Sequence, residues 1–92
     1  MDYRNLAAKL LEHELARSEP FHHGLAAVLQ NRVDGSLVTT PHAAGTAEAD
    51  AFFAGQLRGH NEFRNLLIEA NGDREAAIAR LRHFAAEERR VA

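Results

Sequence analysis

Apolar residues recur every three or four positions through the first third of the chain and predict two helices. The first runs from about Tyr3 to Arg17, with Asp2 as its N-cap. The second begins after Ser18, a plausible N-cap, and runs to about Val33. The apolar positions of the two helices are Leu6, Ala7, Leu10, Leu11, Leu15, Phe21, Leu25, Val28, Leu29 and Val33.

The last half of the chain predicts two further helices. Thr46 caps the third, which ends at Asn71-Gly72, and Asp73 caps the fourth. Because the junction is so short, helices three and four should form an antiparallel helical hairpin. Residues 87–92 predict a solvated tail. The apolar positions of the fourth helix are Ala77, Ile78, Leu81, Phe84 and Ala85.

Residues 34–45 interrupt the helical pattern. Asp34-Gly35 is a turn signal, and residues 37–40 favour a strand but have no second strand to pair with. An extended loop is the better interpretation, and a loop of this length in a small chain is often a contact arm. The expected fold is therefore all-α: a small four-helix bundle built on the C-terminal hairpin, in a single helical domain 1–92.

The third helix carries two glycines on its apolar face, although each glycine costs about 1 kcal/mol relative to alanine. Phe52, Gly55, Gly59 and Phe63 share this face, and Gln56 interrupts it. Small residues here permit close approach, either of another helix of the same chain or of a partner's side chain. Gln56 could bond to the loop or a neighbouring subunit, or lie at the edge of the face in water.

The composition of the chain argues against several classes of function. The formal net charge is −2, with 11 basic and 13 acidic residues, whereas domains that grip nucleic acid by bulk charge are usually strongly basic. There is no cysteine, so neither disulfides nor thiolate metal sites are available. No apolar run approaches the roughly 20 residues of a membrane span, and the N-terminus carries acids where a signal peptide needs an apolar core.

The sequence contains no recognisable catalytic, metal or cofactor motif. Glu19 and His23 share a helical face, but di-iron bundles need repeated Glu-x-x-His pairs, which are absent. Ser18 and Ser36 lack the context of a catalytic nucleophile, and no glycine-rich loop precedes a helix. We therefore expect neither an enzyme nor a cofactor. The six histidines are His13, His22, His23, His42, His60 and His83.

Two stretches carry a resemblance to a known group of proteins. SEPFHHGLAAVLQNR and ADAFFAGQLRGHNEFRNLL, residues 18–32 and 49–67, are similar to small helical proteins encoded beside the portal and capsid genes of tailed bacteriophages. The longer loop at 34–45 departs from that pattern. The resemblance implies a minor head or portal-associated virion protein, assembled in the host cytoplasm and present in several copies.

The expected function is therefore non-enzymatic protein interaction. The partner would be a larger capsid or portal protein, or copies of the same chain, with no membrane or nucleic-acid partner. Two alternatives stay open: a small nucleic-acid-binding regulator, and an accessory or inhibitor protein of an enzyme. The predicted interface residues are Phe52, Phe53, Gly55, Gln56, Arg58, Gly59, Phe63 and Arg64 on the third helix, with Leu37, Val38 and Pro41 in the loop.

Overall fold

The computed structural model describes residues 1–87, which contain four helices and no strand. The all-α four-helix prediction is confirmed. The predicted tail from residue 88 onward lies outside the described residues. The helices are α1 (Tyr3–Leu11), α2 (Glu19–Asp34), α3 (Ala47–Glu69) and α4 (Arg74–Ala86).

The predicted N-caps lie where the sequence places them. The side chains of Asp2, Thr46 and Asp73 accept hydrogen bonds from backbone N–H groups in the first turns of α1, α3 and α4, at 3.0, 3.1 and 3.1 Å. Ser18 occupies the N-cap position of α2, but its side chain makes no capping bond. Three of the four helix starts are therefore encoded locally.

The turn between α3 and α4 is as tight as predicted. Asn71 and Gly72 adopt positive φ angles of 55° and 83°, and the Gly72 N–H donates to the Leu67 carbonyl at 2.7 Å. A left-handed residue at this point ends a helix and satisfies its last carbonyls. The reversal brings α4 back against α3 and forms the helical hairpin. Residues 35–46, between α2 and α3, form the predicted loop without helix or strand.

The prediction that the first helix reaches Arg17 is wrong, because α1 ends at Leu11. Leu11 is buried, whereas Leu15, the next large apolar residue, is 91% exposed. A further turn of helix would therefore bury nothing, and short helices depend on tertiary packing for their stability. The chain instead crosses to α3, where Glu14 meets Arg58.

The most extensive helix contact joins α2 to α3, and glycines on both helices make it possible. A Cβ atom added to Gly24 would lie 2.1 Å from the carbonyl oxygen of Phe52. A Cβ added to Gly55 would lie 2.1 Å from the carbonyl oxygen of Phe21. The two backbones are therefore in direct contact at a reciprocal pair of glycines, and Gly59 extends the contact by one turn.

The core lies on both sides of α2. Helix α1 packs against α2 and α4 through a cluster that includes Leu81 of α4, and Phe63 of α3 packs against Ala77 and Ile78 of α4. Helices α3 and α4 of the hairpin thus contact each other through side chains, whereas α2 and α3 contact each other through their backbones. The main cluster consists of Leu6, Ala7, Leu11, Phe21, Leu25, Ala26, Leu29 and Leu81.

The single lysine of the chain closes the C-terminal end of α4. The Lys9 ammonium, on α1, donates to the carbonyl oxygens of Phe84 at 3.1 Å and Ala85 at 3.3 Å, and also to that of Glu87. A cation at this end of a helix also interacts favourably with the helix dipole. An ammonium suits three converging carbonyls better than a planar guanidinium does. Lys9 thereby ties α1 to α4.

Arg74 serves α2 in the same way. Its guanidinium donates to the carbonyl oxygens of Arg32 at 2.8 Å and Val33 at 3.1 Å, in the last turn of α2. The first residue of α4 therefore caps the end of α2. Both contacts join helices that are distant in sequence, so they hold the bundle together as well as satisfying helix ends.

We expect Gly55→Ala to lower the free energy of unfolding by about 1–3 kcal/mol through overpacking. Alanine is the better helix former, so propensity alone would change stability in the opposite direction. Urea unfolding at low protein concentration measures the difference, with the exposed Ala54→Gly as a propensity-only control that loses about 1 kcal/mol. Gly24→Ala should behave like Gly55→Ala, and Gly59→Leu should also destabilise by overpacking. A more stable Gly55→Ala protein would contradict the crossing.

We expect Lys9→Met to lower the free energy of unfolding by about 1–3 kcal/mol, because the C-terminal carbonyls of α4 lose a charged donor. The apolar stem is retained, so packing changes little. Arg80→Met is the matched control: it removes a cation from an exposed ion pair with Glu69 and should cost no more than about 1 kcal/mol. Equal losses in thermal unfolding for the two variants would show that the lysine cap adds nothing special.

Candidate functional site

Four of the predicted interface residues lie inside the chain. Phe52, Gly55, Gly59 and Phe63 are all buried, and the two glycines face α2. The sequence left two interpretations of the glycine face: contact with another helix of the same chain, or contact with a partner's side chain. The structure shows the first, a crossing with α2. These four residues are not available as a docking surface in the folded chain, because α2 and α4 already cover them.

The other predicted residues of α3 are distributed around its remaining surface. Phe53 and Arg64 are exposed, and Gln56 and Arg58 are half-buried at the edges of the crossing. Arg64 forms no ion pair with any of residues 1–87. Only Phe53 and Arg64 therefore keep the exposed positions that a contact with another molecule needs.

Arg58 is engaged within the chain. Its guanidinium donates to both carboxylate oxygens of Glu14, at 2.8 and 2.5 Å, and to Glu62 one turn along α3 at 2.7 Å. The hydrogen bonds that Arg58 donates to Glu14 lower the pKa of the Glu14 carboxyl, and the same bonds raise the pKa of Arg58. A bidentate pair of this kind fixes the 12–18 segment against α3. Arg58, predicted as an interface residue, therefore forms its ion pairs within the chain.

The face of α3 opposite the glycines is left uncovered. Phe53, Leu57 and Ile68 are 54, 62 and 64% exposed and lie on one side of the helix, because residues four, seven and eleven apart share a face. We call this face the outer stripe. Sequence reasoning missed Leu57 and Ile68, although their spacing from Phe53 was a signal for them. The outer stripe consists of Asp50, Phe53, Leu57, His60, Asn61, Arg64 and Ile68.

The loop between α2 and α3 lies over one end of the crossing. His42 of the loop and His23 of α2 both contact the ring of Phe52 edge-on, with ring centroids 5.8 and 5.1 Å away. The His42 Nε2 atom is shielded from solvent and has no hydrogen-bond partner among residues 1–87. Burial lowers the pKa of His23, helped by the nearby charges of Arg4 and His42. The neutral form of His23 is therefore favoured at this contact.

The predicted contact residues of the loop lie farther out. Leu37 is 89% exposed, Pro41 is exposed and Val38 is half-buried. Leu37 thus extends into solvent while His42 holds the other half of the loop against Phe52. The role of this loop as a contact arm stays a prediction.

An open groove between the start of α1 and the middle of α2 is lined by several polar side chains. Its charged groups already have partners: Arg4 pairs with Glu19, Asp2 caps α1, and Asp34 accepts a hydrogen bond from the Ser36 hydroxyl at 2.6 Å. Burial raises the pKa of Tyr3, while hydrogen bonds from Ser36 lower that of Asp34. These partners serve the fold, so the groove offers no poised pair of nucleophile and base.

Three features of the described residues bear on other functions: clusters of metal-binding side chains, the length and polarity of the helices, and the arginines of α4. Within residues 1–87, no group of three or more His, Asp or Glu side chains is placed to hold a metal ion, and no helix is long and apolar enough to cross a membrane. Two arginines of α4 are occupied, Arg74 by the end of α2 and Arg80 by Glu69.

Comparisons with protein-family models, with curated proteins and with solved structures found no match. The resemblance to phage-encoded helical proteins is therefore untested. The two stretches that carry it coincide with α2 and the greater part of α3, the pair held together at the glycine crossing. The surface exposed by that pair is the outer stripe.

We expect the free energy of unfolding to decrease as the pH falls from about 7.5 to 5. The pKa of His23 is lower in the folded chain than its ordinary value of 6.5, so the unfolded chain binds more protons in this window. This contribution is complete above pH 6.5 and is lost as the pH falls through 6.5 toward the folded pKa. His23→Gln should flatten the dependence in urea unfolding, whereas the exposed His60→Gln should retain it. An unchanged slope in His23→Gln would contradict the assignment.

Proposed function

We propose that this protein is a non-enzymatic interaction protein that binds other protein chains through the outer stripe of α3. One observation carries the proposal: α3, a 23-residue helix, leaves Phe53, Leu57 and Ile68 exposed on the side opposite its buried face. Single exposed apolar residues are normal on protein surfaces, whereas neighbouring ones mark interaction sites. Phe53 and Leu57 are one turn apart, and Ile68 lies three turns farther along the same side of the helix.

The shape of the outer stripe suits a helical partner. From Asp50 to Ile68 it spans 18 residues, or about 27 Å along the helix axis. Apolar side chains at positions 53, 57 and 68 alternate with charged and polar ones, which is the pattern of a helix-in-groove or helix-pair contact. Leu37 of the loop provides a second exposed apolar side chain for a neighbour.

The finer proposal is a minor virion protein of a tailed bacteriophage, assembled in the host cytoplasm in several copies and docked on a portal or capsid protein. It is supported by the resemblance of residues 18–32 and 49–67 to proteins encoded beside portal and capsid genes. A role in an assembly also fits the mixed charge of the chain, since −2 overall gives no strong attraction to nucleic acid. The portal or capsid protein would meet the loop and the outer stripe together.

The two alternatives make different predictions. A nucleic-acid-binding regulator would show binding to duplex DNA that weakens steeply with salt. The role of Arg74 argues against that alternative, because its guanidinium is engaged by the carbonyl groups at the end of α2. An enzyme accessory or inhibitor protein would form a stable stoichiometric complex with one enzyme.

We expect Leu57→Ser to weaken binding to the portal or capsid protein encoded beside the gene by about tenfold or more, because a buried leucine contributes about 1.5–3 kcal/mol. Leu15→Ser is the matched control, since Leu15 is also exposed but lies outside the outer stripe. Binding would be measured by interferometry with immobilised portal or capsid protein. No binding by the wild-type chain, together with salt-sensitive binding to a DNA duplex, would overturn the proposal.

A further inference from the structure

The charges of the outer stripe are arranged symmetrically about Leu57. Asp50 precedes Leu57 by seven residues, and Arg64 follows it by seven. Seven residues make almost two full turns of a helix, so the three side chains lie nearly in line. All three are exposed, and neither Asp50 nor Arg64 forms an ion pair with any described residue. An acid and a base thus stand at equal distances from an exposed leucine.

We infer that the outer stripe is covered by a second copy of this chain, with the two α3 helices antiparallel and related by a two-fold axis at Leu57. This inference rests on the proposed interaction function and assigns the same surface a second partner, which a portal or capsid protein would have to displace in order to dock there. In this arrangement each Asp50 lies opposite the partner's Arg64, and the two Leu57 side chains meet at the axis. Two-fold pairing uses the same surface on both chains, so the contact closes on itself.

The remaining positions fit the same register. Phe53 lies opposite Asn61 of the partner subunit and flanks the central leucines, while Ile68 lies opposite Thr46 of the partner subunit at the start of α3. The two ion pairs are about 21 Å apart along the helix and enclose the apolar centre. A polar or charged rim around an apolar centre is the ordinary arrangement of a protein interface. The opposite face of α3 already packs on α2, so pairing requires no rearrangement of the fold.

The dimer should be weak. One helix face buries roughly 300–400 Å² per chain, below the 800 Å² or so of a standard interface. We therefore expect a dissociation constant of about 10–500 µM. Within an assembly, where many copies are held close together, a contact of this strength is sufficient because the effective concentration reaches the millimolar range.

Reversing the charge at position 50 or 64 tests whether these two positions face each other in the dimer. Sedimentation equilibrium should show a concentration-dependent dimer for the wild-type chain and at least about tenfold weaker dimerisation for Arg64→Asp and for Asp50→Arg, because each places like charges opposite one another twice. The double variant Asp50→Arg/Arg64→Asp should restore dimerisation. A 1:1 mixture of the two single variants should form heterodimers, since every facing pair is then opposite in charge.

Two leucine variants separate this contact from other associations. Leu57→Ser should abolish the dimer, whereas Leu37→Ser should leave it intact, because Leu37 is exposed on the loop and not on α3. Circular dichroism melts at low concentration confirm that each variant folds. Positions 50 and 64 are exposed on α3, so the charge-reversal variants should still fold.

Either of two results would overturn the two-fold pairing. The wild-type chain could stay monomeric up to about 1 mM, or the charge-reversal variants could dimerise as well as the wild type. If Leu57→Ser still weakened binding to the portal or capsid protein in that case, the outer stripe would remain an interaction surface for another protein. If neither association involved the outer stripe, both the inference and the proposed function would fail.

Discussion

The backbone contact between α2 and α3 is the constraint on which the rest of the structure depends. Gly24 and Gly55 each leave out a side chain where the other helix presents a carbonyl group, so the two helices approach more closely than alanine would permit. This approach buries Phe52 and Phe63 on either side of the crossing. It also determines which face of α3 remains for other molecules, because a helix has only one face opposite its buried one.

The charged side chains of this small bundle largely serve the joints between helices. Lys9 caps α4 from α1, Arg74 caps α2 from α4, and Arg58 holds the 12–18 segment through Glu14. Each contact connects elements that are distant in the chain, and those of Lys9 and Arg74 also satisfy carbonyl groups that helix ends leave unpaired. Charges engaged in this way are poorly placed to bind phosphates. Arg64 differs from them, because it stands on the outer stripe with no described partner.

The proposed protein interaction rests on what the fold covers and what it leaves open. A chain of 92 residues has few elements with which to cover every side of a 23-residue helix. The glycine crossing covers one side of α3, and Phe53, Leu57 and Ile68 stay exposed on the other. The histidines beside Phe52 form a separate feature: His23 of α2 and His42 of the loop both contact the Phe52 ring, which is not part of the outer stripe.

The sequence by itself determined the helices and most of their ends, because caps such as Thr46 and turns such as Asn71-Gly72 act through neighbouring backbone groups. It also located the glycine face of α3. Only the tertiary structure decided that Gly55 meets α2 instead of a partner, since Gly24 lies 31 residues away and spacing within one helix cannot show what faces it. The early end of α1 was decided in the same way: Leu15 had the helical spacing, but the folded bundle offers it no surface to pack against.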